Sequence, residues 1–277
     1  MDAMSPYGYS GAWAHPDLSR ADVLDAWHSV RRELLDRGVV SVFLRHSPLV
    51  PQAELPFAHH RVVADHPTVA VDLTDVPRAW SALGGKCRNT VRRAVARGAS
   101  VELRPARPAD LVPGSDFRRL YEATMDRHGA GPGYYFSDEH YRRLSLGLGA
   151  DLVLATGRDA DGAVQAAALF LRHAHLLHYH LSGSTPEGSR AGLNNLLLWR
   201  SVEHGAGLGA TTLHLGGGTG GAADDDLLRF KASFGPIRLS YRATGWVVDP
   251  AAYADLTART STGVAREGAF FPSYRLP

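Results

Sequence analysis

Apolar residues recur along this chain at two periods, and the changes from one period to the other mark out most of its elements. Between Ser19 and Arg37, the apolar residues Val23, Leu24, Trp27, Val30, Leu34 and Leu35 form one stripe at helical spacing, with Ser19 as N-cap and Gly38 as the stop. Val39–Leu44 then reads as a buried strand and Thr68–Leu73 as an alternating one. Thr74 or Asp75 opens what reads as one long helix reaching Arg97 and Gly98, and Ser100–Leu103 is a short strand. Residues 105–114, with three prolines and a glycine, form the candidate linker. Two helices follow, Ser115–His128 and Ser137–Leu148, on either side of a glycine-rich turn. Asp151–Thr156, Ala163–Arg172 and His175–Ser182 read as three consecutive strands, with a hairpin signal at Arg158–Gly162. Arg190–Gly205 is a helix, Thr211–Leu215 a strand, Asp224–Phe234 a helix and Ile237–Val248 a closing strand. From Thr260 onward no period is visible, and a loosely held tail is expected.

This pattern predicts an α/β protein with a mixed sheet in two lobes: residues 1–104, residues 115–259, and a tail of 260–277. The length of 277 residues permits either one large or two small domains, each with a proper core. No apolar run approaches the roughly 18 to 20 residues of a membrane span, and the first ten residues lack the basic start and apolar segment of a secretion signal. Cys87 is the one cysteine, which excludes an internal disulfide and fits a cytoplasmic protein. A net charge of +2 is too small for general attraction to nucleic acid, so any RNA contact must rest on local arginine clusters.

Lysine occurs only at 86 and 231, among 30 basic side chains. An ammonium is a compact, rotatable charge and a guanidinium a planar fork, so the two positions are candidates for work arginine cannot do. Lys86, Arg88, Arg92 and Arg93 recur at helical spacing and could grip RNA phosphates, although a solvated helix face explains them equally well. Gly216, Gly217 and Gly218 begin a glycine run between a strand and a helix, a layout that offers backbone N–H groups to an anion. The run matches neither the P-loop nor the dinucleotide-binding spacing. Asp224, Asp225 and Asp226 then suit the positive end of the next helix as caps. The histidines between 173 and 180 have no carboxylate or cysteine at ligand spacing, so no metal is expected there.

Four stretches together resemble the FemABX family of peptidyltransferases and its GNAT-like relatives. They are Ser5–Gly11 with its Tyr7-Gly8-Tyr9, the basic run Lys86–Ala94, the stretch His178–Ser184, and His214–Gly218 continuing through Asp226–Lys231 to Gly235. The order α-α-β-β-β-α-β-α-β over residues 115–248 also matches the GNAT unit. The resemblance implies two GNAT-like lobes, the first abbreviated because its Tyr-Gly-Tyr motif lies so near Met1. It implies transfer of an amino acid from aminoacyl-tRNA to the amine of a peptide or peptidyl-nucleoside acceptor; the shortened first lobe and the modest charge favour a peptide-antibiotic intermediate over a peptidoglycan precursor. Aminoacyl-tRNA would be the co-substrate, with no cofactor, and a monomer is the expected state. Lys231 matches the family lysine at the reacting centre, with Phe230 shaping its pocket. His178, Tyr179, His180 and Ser182 match the stretch that contacts acceptor, and His180 is also a candidate to take the proton of the attacking amine. The rival reading within this fold is an acyl-CoA-dependent N-acyltransferase, whose phosphate loop Glu187–Asn194 matches only in part. A second rival is a non-catalytic binding module.

Overall fold

Ser19, Ser115 and Ser137 each accept a hydrogen bond from the backbone N–H three residues on, and each opens a helix. In the computed structural model these helices are α1 (Arg20–Asp36), α4 (Asp116–Arg127) and α5 (Asp138–Leu148). The structure describes residues 1–219, 225–260 and 270–275. The chain divides into two compact units, Thr68–Arg238 and a second formed by Met1–Pro67 with Leu239–Pro277.

Within the unit 68–238, the second half of β3 (His60–Asp72) begins a run of strands in the order β3, β8 (Thr212–Gly217), β7 (Leu176–Ser184), β6 (Val164–His173), β5 (Leu152–Arg158) and β4 (Ser100–Pro105). All neighbours are antiparallel except β7 and β8. One face carries a core built on Val69, Val71, Leu213, Leu177, Phe170 and Ala168, closed by residues of α3 (Gly85–Ala96), α7 (Leu193–Gly207) and α8 (Asp226–Ala232). The opposite face buries Leu169, Leu181 and Leu154 against Phe117, Leu120, Tyr121 and Tyr141 of α4 and α5. Small residues set one spacing here: a Cβ on Gly183 would lie 2.2 Å from the Leu120 carbonyl oxygen, so β7 meets the α4 backbone directly.

In the other unit, β1 (Asp2–Met4) pairs in parallel with β2 (Ser41–Arg45), and β2 pairs antiparallel with β9 (Ile237–Val247). β9 also neighbours the first half of β3. Its core joins Trp27 and Val39 to Trp246 and Val248, with the Trp27 and Trp246 rings edge to face at 5.9 Å. Helix α9 (Pro250–Thr260), which has no counterpart in the sequence reading, and the turn Ser273–Arg275 complete this unit. Arg275 reaches Asp2 at 2.8 Å.

Two predicted helices are interrupted. The stretch from Asp75 to Gly98 contains α2 (Val76–Ala82) and α3, separated where Leu83 takes ψ 142°. Arg88 turns back to the Ser81 and Leu83 carbonyls that α2 leaves open. The helix expected over Arg190–Gly205 is α6 (Pro186–Ala191) followed by α7, with Gly192 left-handed at φ +86° between them. The predicted lobe boundary also differs from the observed units: residues 68–104 lie with 115–238 in one of them. Tail residues 261–269 and 276–277 lie outside the described residues.

Candidate active site

β7 and β8 pair in parallel only over Leu176–His178 and Thr212–His214, although both strands run further, to Ser184 and Gly217. The ladder therefore stops at the two histidines. Just past this point β7 carries an extra residue, since Phe170 pairs with Tyr179 but Leu169 pairs with Leu181. This bulge at His180 re-aims the strand: Tyr179 packs towards the α7 side and Leu181 towards α4 and α5. The Tyr179 hydroxyl then donates to Ser182 Oγ across the bulge at 2.5 Å.

Lys231 comes from α8, whose N-cap Asp225 is buried and accepts from the Leu228 and Thr219 N–H groups. The ammonium donates to the Gly217 carbonyl oxygen at 2.6 Å and stands 5.8 Å from the centre of the Tyr179 ring. The residue is only 8% exposed. Burial lowers its pKa to about 8, against the opposing pull of the Asp225 carboxylate. Phe230 is half-buried, edge to face with Phe234 at 5.5 Å.

His178 and His214, neighbours in the ladder, approach Nδ1 to Nδ1 at 3.1 Å, and His214 Nε2 lies 2.9 Å from Thr68 Oγ1. Burial first, then the Lys231 charge, holds His214 at about 3. Burial, the neighbouring histidines and Lys231 likewise hold His178 well below the ordinary imidazole range. His180 is lowered to about 4 by burial and by His140 of α5. Both rings next to Lys231 are therefore neutral, and His180 is a weak base at neutral pH.

The structure thus gathers Lys231, Phe230, Tyr179, Ser182, His178 and Gly217 around the end of one ladder. The sequence reading gave no site role to Thr68, or to His214, which it named only as the start of a resembling stretch; each is one buried polar residue within an apolar strand, a pattern that could have marked them. The glycine run is partly occupied from within. The Asp225 carboxylate packs on the Gly218 Cα and takes the Thr219 N–H, and the neighbouring Gly216 adopts φ +76°. Gly220, Gly221 and Asp224 lie outside the described residues. On α3, Lys86 and Arg93 are exposed, Arg92 lies over the Trp80 ring at 5.5 Å, and Arg88 is drawn inward onto α2 as described above. Among the described residues, no group of three or more His, Cys, Asp or Glu is placed to hold a metal, and no helix is long and apolar enough to cross a membrane.

The family model of the acetyltransferase (GNAT) domain matches residues 85–231, more than half of the chain. The chain belongs to this GNAT family. Three solved structures share its fold at low identity. FemX is 13% identical with a TM-score of 0.62, over 85% of this chain and 79% of that one. The C-terminal domain of a protein described as a lysylphosphatidylglycerol synthetase from Agrobacterium fabrum is 17% identical with a TM-score of 0.56, over 89% and 80%. A tandem GNAT protein from the clavulanic acid biosynthesis pathway is 13% identical with a TM-score of 0.51, over 86% and 74%. No curated protein matches the chain.

A GNAT acyltransferase that uses coenzyme A needs open backbone amides for the pyrophosphate where β7 leads into α7. Here that stretch is the helical turn α6. Its Gly188 N–H goes to Thr185 Oγ1, Ser189 N–H to the Thr185 carbonyl and Gly192 N–H to the Ser189 carbonyl. The Thr90 methyl of α3 stands 2.5 Å from where a Gly192 Cβ would be. These three amides of the turn are thus engaged within it.

Proposed function

We propose that this GNAT acyltransferase takes its acyl group from aminoacyl-tRNA and passes it to the amine of a small peptide-like acceptor. The observation that carries the reading is the buried Lys231 ammonium, fixed on Gly217 where the β7–β8 ladder ends. The FemX and lysylphosphatidylglycerol synthetase folds support it, as does the closed turn at 186–192.

An aminoacyl ester is already activated, so the enzyme has to align two substrates and stabilise charge, with no covalent intermediate. The acceptor nitrogen attacks the ester carbonyl carbon, the C–N bond forms, and the carbonyl oxygen becomes an oxyanion. Lys231 Nζ offers this oxygen a fixed positive charge in a desolvated setting, where such a charge counts for more than in water. The C–O bond to the ribose then breaks, and the proton lost by the amine ends on the ribose oxygen. Tyr179 and Ser182, tied to each other, and Phe230 bound the acceptor side. Lys86 and Arg93 on the exposed face of α3 would meet tRNA phosphates.

The test offers the purified protein charged tRNAs or acetyl-CoA together with a pool of peptide amines, with and without RNase. Incorporation of a labelled amino acid that RNase abolishes is the expected result. Acetyl incorporation indifferent to RNase would overturn the tRNA reading, and silence with both donors would favour a binding module.

A further inference from the structure

Helix α8 is only seven residues long, yet both of its ends grip the same turn of chain. At its start, the Asp225 carboxylate caps the Leu228 N–H at 2.9 Å and also takes the Thr219 N–H at 2.5 Å and the Thr219 hydroxyl at 3.2 Å. Near its end, about 9 Å further along the axis, Lys231 donates to the Gly217 carbonyl oxygen. A helical side chain leans back towards the N-terminus of its helix, which lets the long lysine stem cover that distance. Gly217 to Thr219, the end of β8 and the turn after it, are thereby tied to α8 at two points.

Gly218 lies between these ties, and its lack of a side chain is what lets the first one form. A Cβ there would stand 2.0 Å from Asp225 Oδ2 and 2.6 Å from Oδ1, so any side chain at 218 would push the carboxylate from its place. Asp225 and Lys231 are both buried, and solvent screens their charges little. The groups that bear on the ammonium are Asp225 of α8, His214 of β8, and His178 and the Tyr179 ring of β7. Both histidines are held neutral, and the carboxylate pulls towards the charged lysine. Asp226, the next residue, is exposed and pairs with Arg229 instead, so the acidic run does not act as one unit.

We propose that Asp225 is a positioning residue for Lys231: its carboxylate clamps Thr219 to the start of α8 and so holds the Gly217 carbonyl on the ammonium, in the space that Gly218 leaves open. The inference rests on the acyl-transfer reading above. Asp225 touches no reacting atom in this role. An ammonium on a four-carbon stem swings freely unless its anchor is fixed, and the anchor decides where the charge stands when the oxyanion forms. Capping of α8 needs only the bond from Leu228. The bonds from Thr219 are the part that serves the site.

The chain has two lysines, so carbon-13 NMR of the lysine-labelled intact protein reads Lys231 directly, with Lys86→Met for assignment. Steady-state transfer kinetics accompany it. Asp225→Asn keeps a capping oxygen for Leu228 but carries no charge and no second acceptor for Thr219. Its Lys231 should titrate at lower pH than in the unmodified protein, and the decline of transfer with pH should move down with it. At a fixed pH, kcat should fall about 10- to 100-fold with KM little changed. Gly218→Ala alters no charge and should lower kcat in the same way, and the double variant should lose no more than the more affected single one. Should either single variant fail to fold, the other carries the test. A folded Asp225→Asn or Gly218→Ala protein with unchanged kcat, or an unmoved Lys231 titration in Asp225→Asn, would reduce Asp225 to a helix cap and overturn the inference. The spectra need no substrate, so a protein whose Lys231 titration moves as expected but which transfers nothing when unmodified would count against the proposed function instead.

Discussion

Lys231 holds its charge in surroundings that oppose it, which ties stability and catalysis to the same atom. Its folded pKa of about 8 lies below the ordinary 10.5. Between those values the unfolded chain binds the extra proton, so stability should rise with pH across that window. Lys231→Met should abolish transfer, keep the fold and remove this rise, as read by the transfer assay and by denaturant melts at pH 8 and 10. A folded Lys231→Met protein that still turns over would end the catalytic assignment. Transfer by the unmodified protein should decline as pH passes about 8 and the ammonium is lost. Lys231 was visible in the sequence because lysine is so rare here. Its partner Gly217 was visible only as part of a glycine run, since a carbonyl acceptor has no side-chain signature.

At the scale of elements, α3 shows why a row of cations in sequence is not one surface. Arg88 bonds the Ser81 carbonyl at 2.8 Å and the Leu83 carbonyl as well, whereas Lys86 and Arg93 face solvent. Arg88→Ala should cost about 1 kcal/mol or more of stability by leaving α2 carbonyls unpaired, measured by thermal unfolding. Lys86→Met and Arg93→Met should leave stability unchanged, weaken tRNA binding, and lower the dependence on salt by about one phosphate contact each in titrations at several ionic strengths. Loss of RNA binding in Arg88→Ala alone would reverse this division. The β7–α4 contact predicts a packing effect: Gly183→Ala should cost about 1–3 kcal/mol, because its Cβ would meet the Leu120 backbone, which cannot swing aside as a side chain would.

Over the whole molecule, buried neutral histidines tie stability to acidity. His214 and His180 titrate in the fold at about 3 and 4, against 6.5 when free. Below 6.5 the unfolded chain takes up protons that the fold refuses, so stability present above that value is lost as pH falls. Each group contributes a slope of up to about 1.4 kcal/mol per pH unit in that window. Unfolding free energies from pH 7 to 4.5 should show this fall, and His214→Gln should make it shallower; an identical slope in that variant would contradict the burial argument.

The sequence by itself determined what depends on neighbouring residues. Serine caps placed three helices, and apolar periodicity placed the strands of residues 151–184 to within a few positions, because capping and burial of one face are local requirements. The breaks at Leu83 and Gly192 escaped it, since helical periodicity continues across both and the conformation is fixed by Arg88 and Thr90 from elsewhere. The two compact units were also beyond its reach. Residues 68–104 precede a proline-rich linker in sequence, yet their apolar face belongs to the core that Leu213 and Phe170 build. The same holds for the candidate site. Motif order named Lys231 and His178, but the contact of His178 with His214, and of His214 with Thr68, depends on strand register, and register is decided only when distant strands pair.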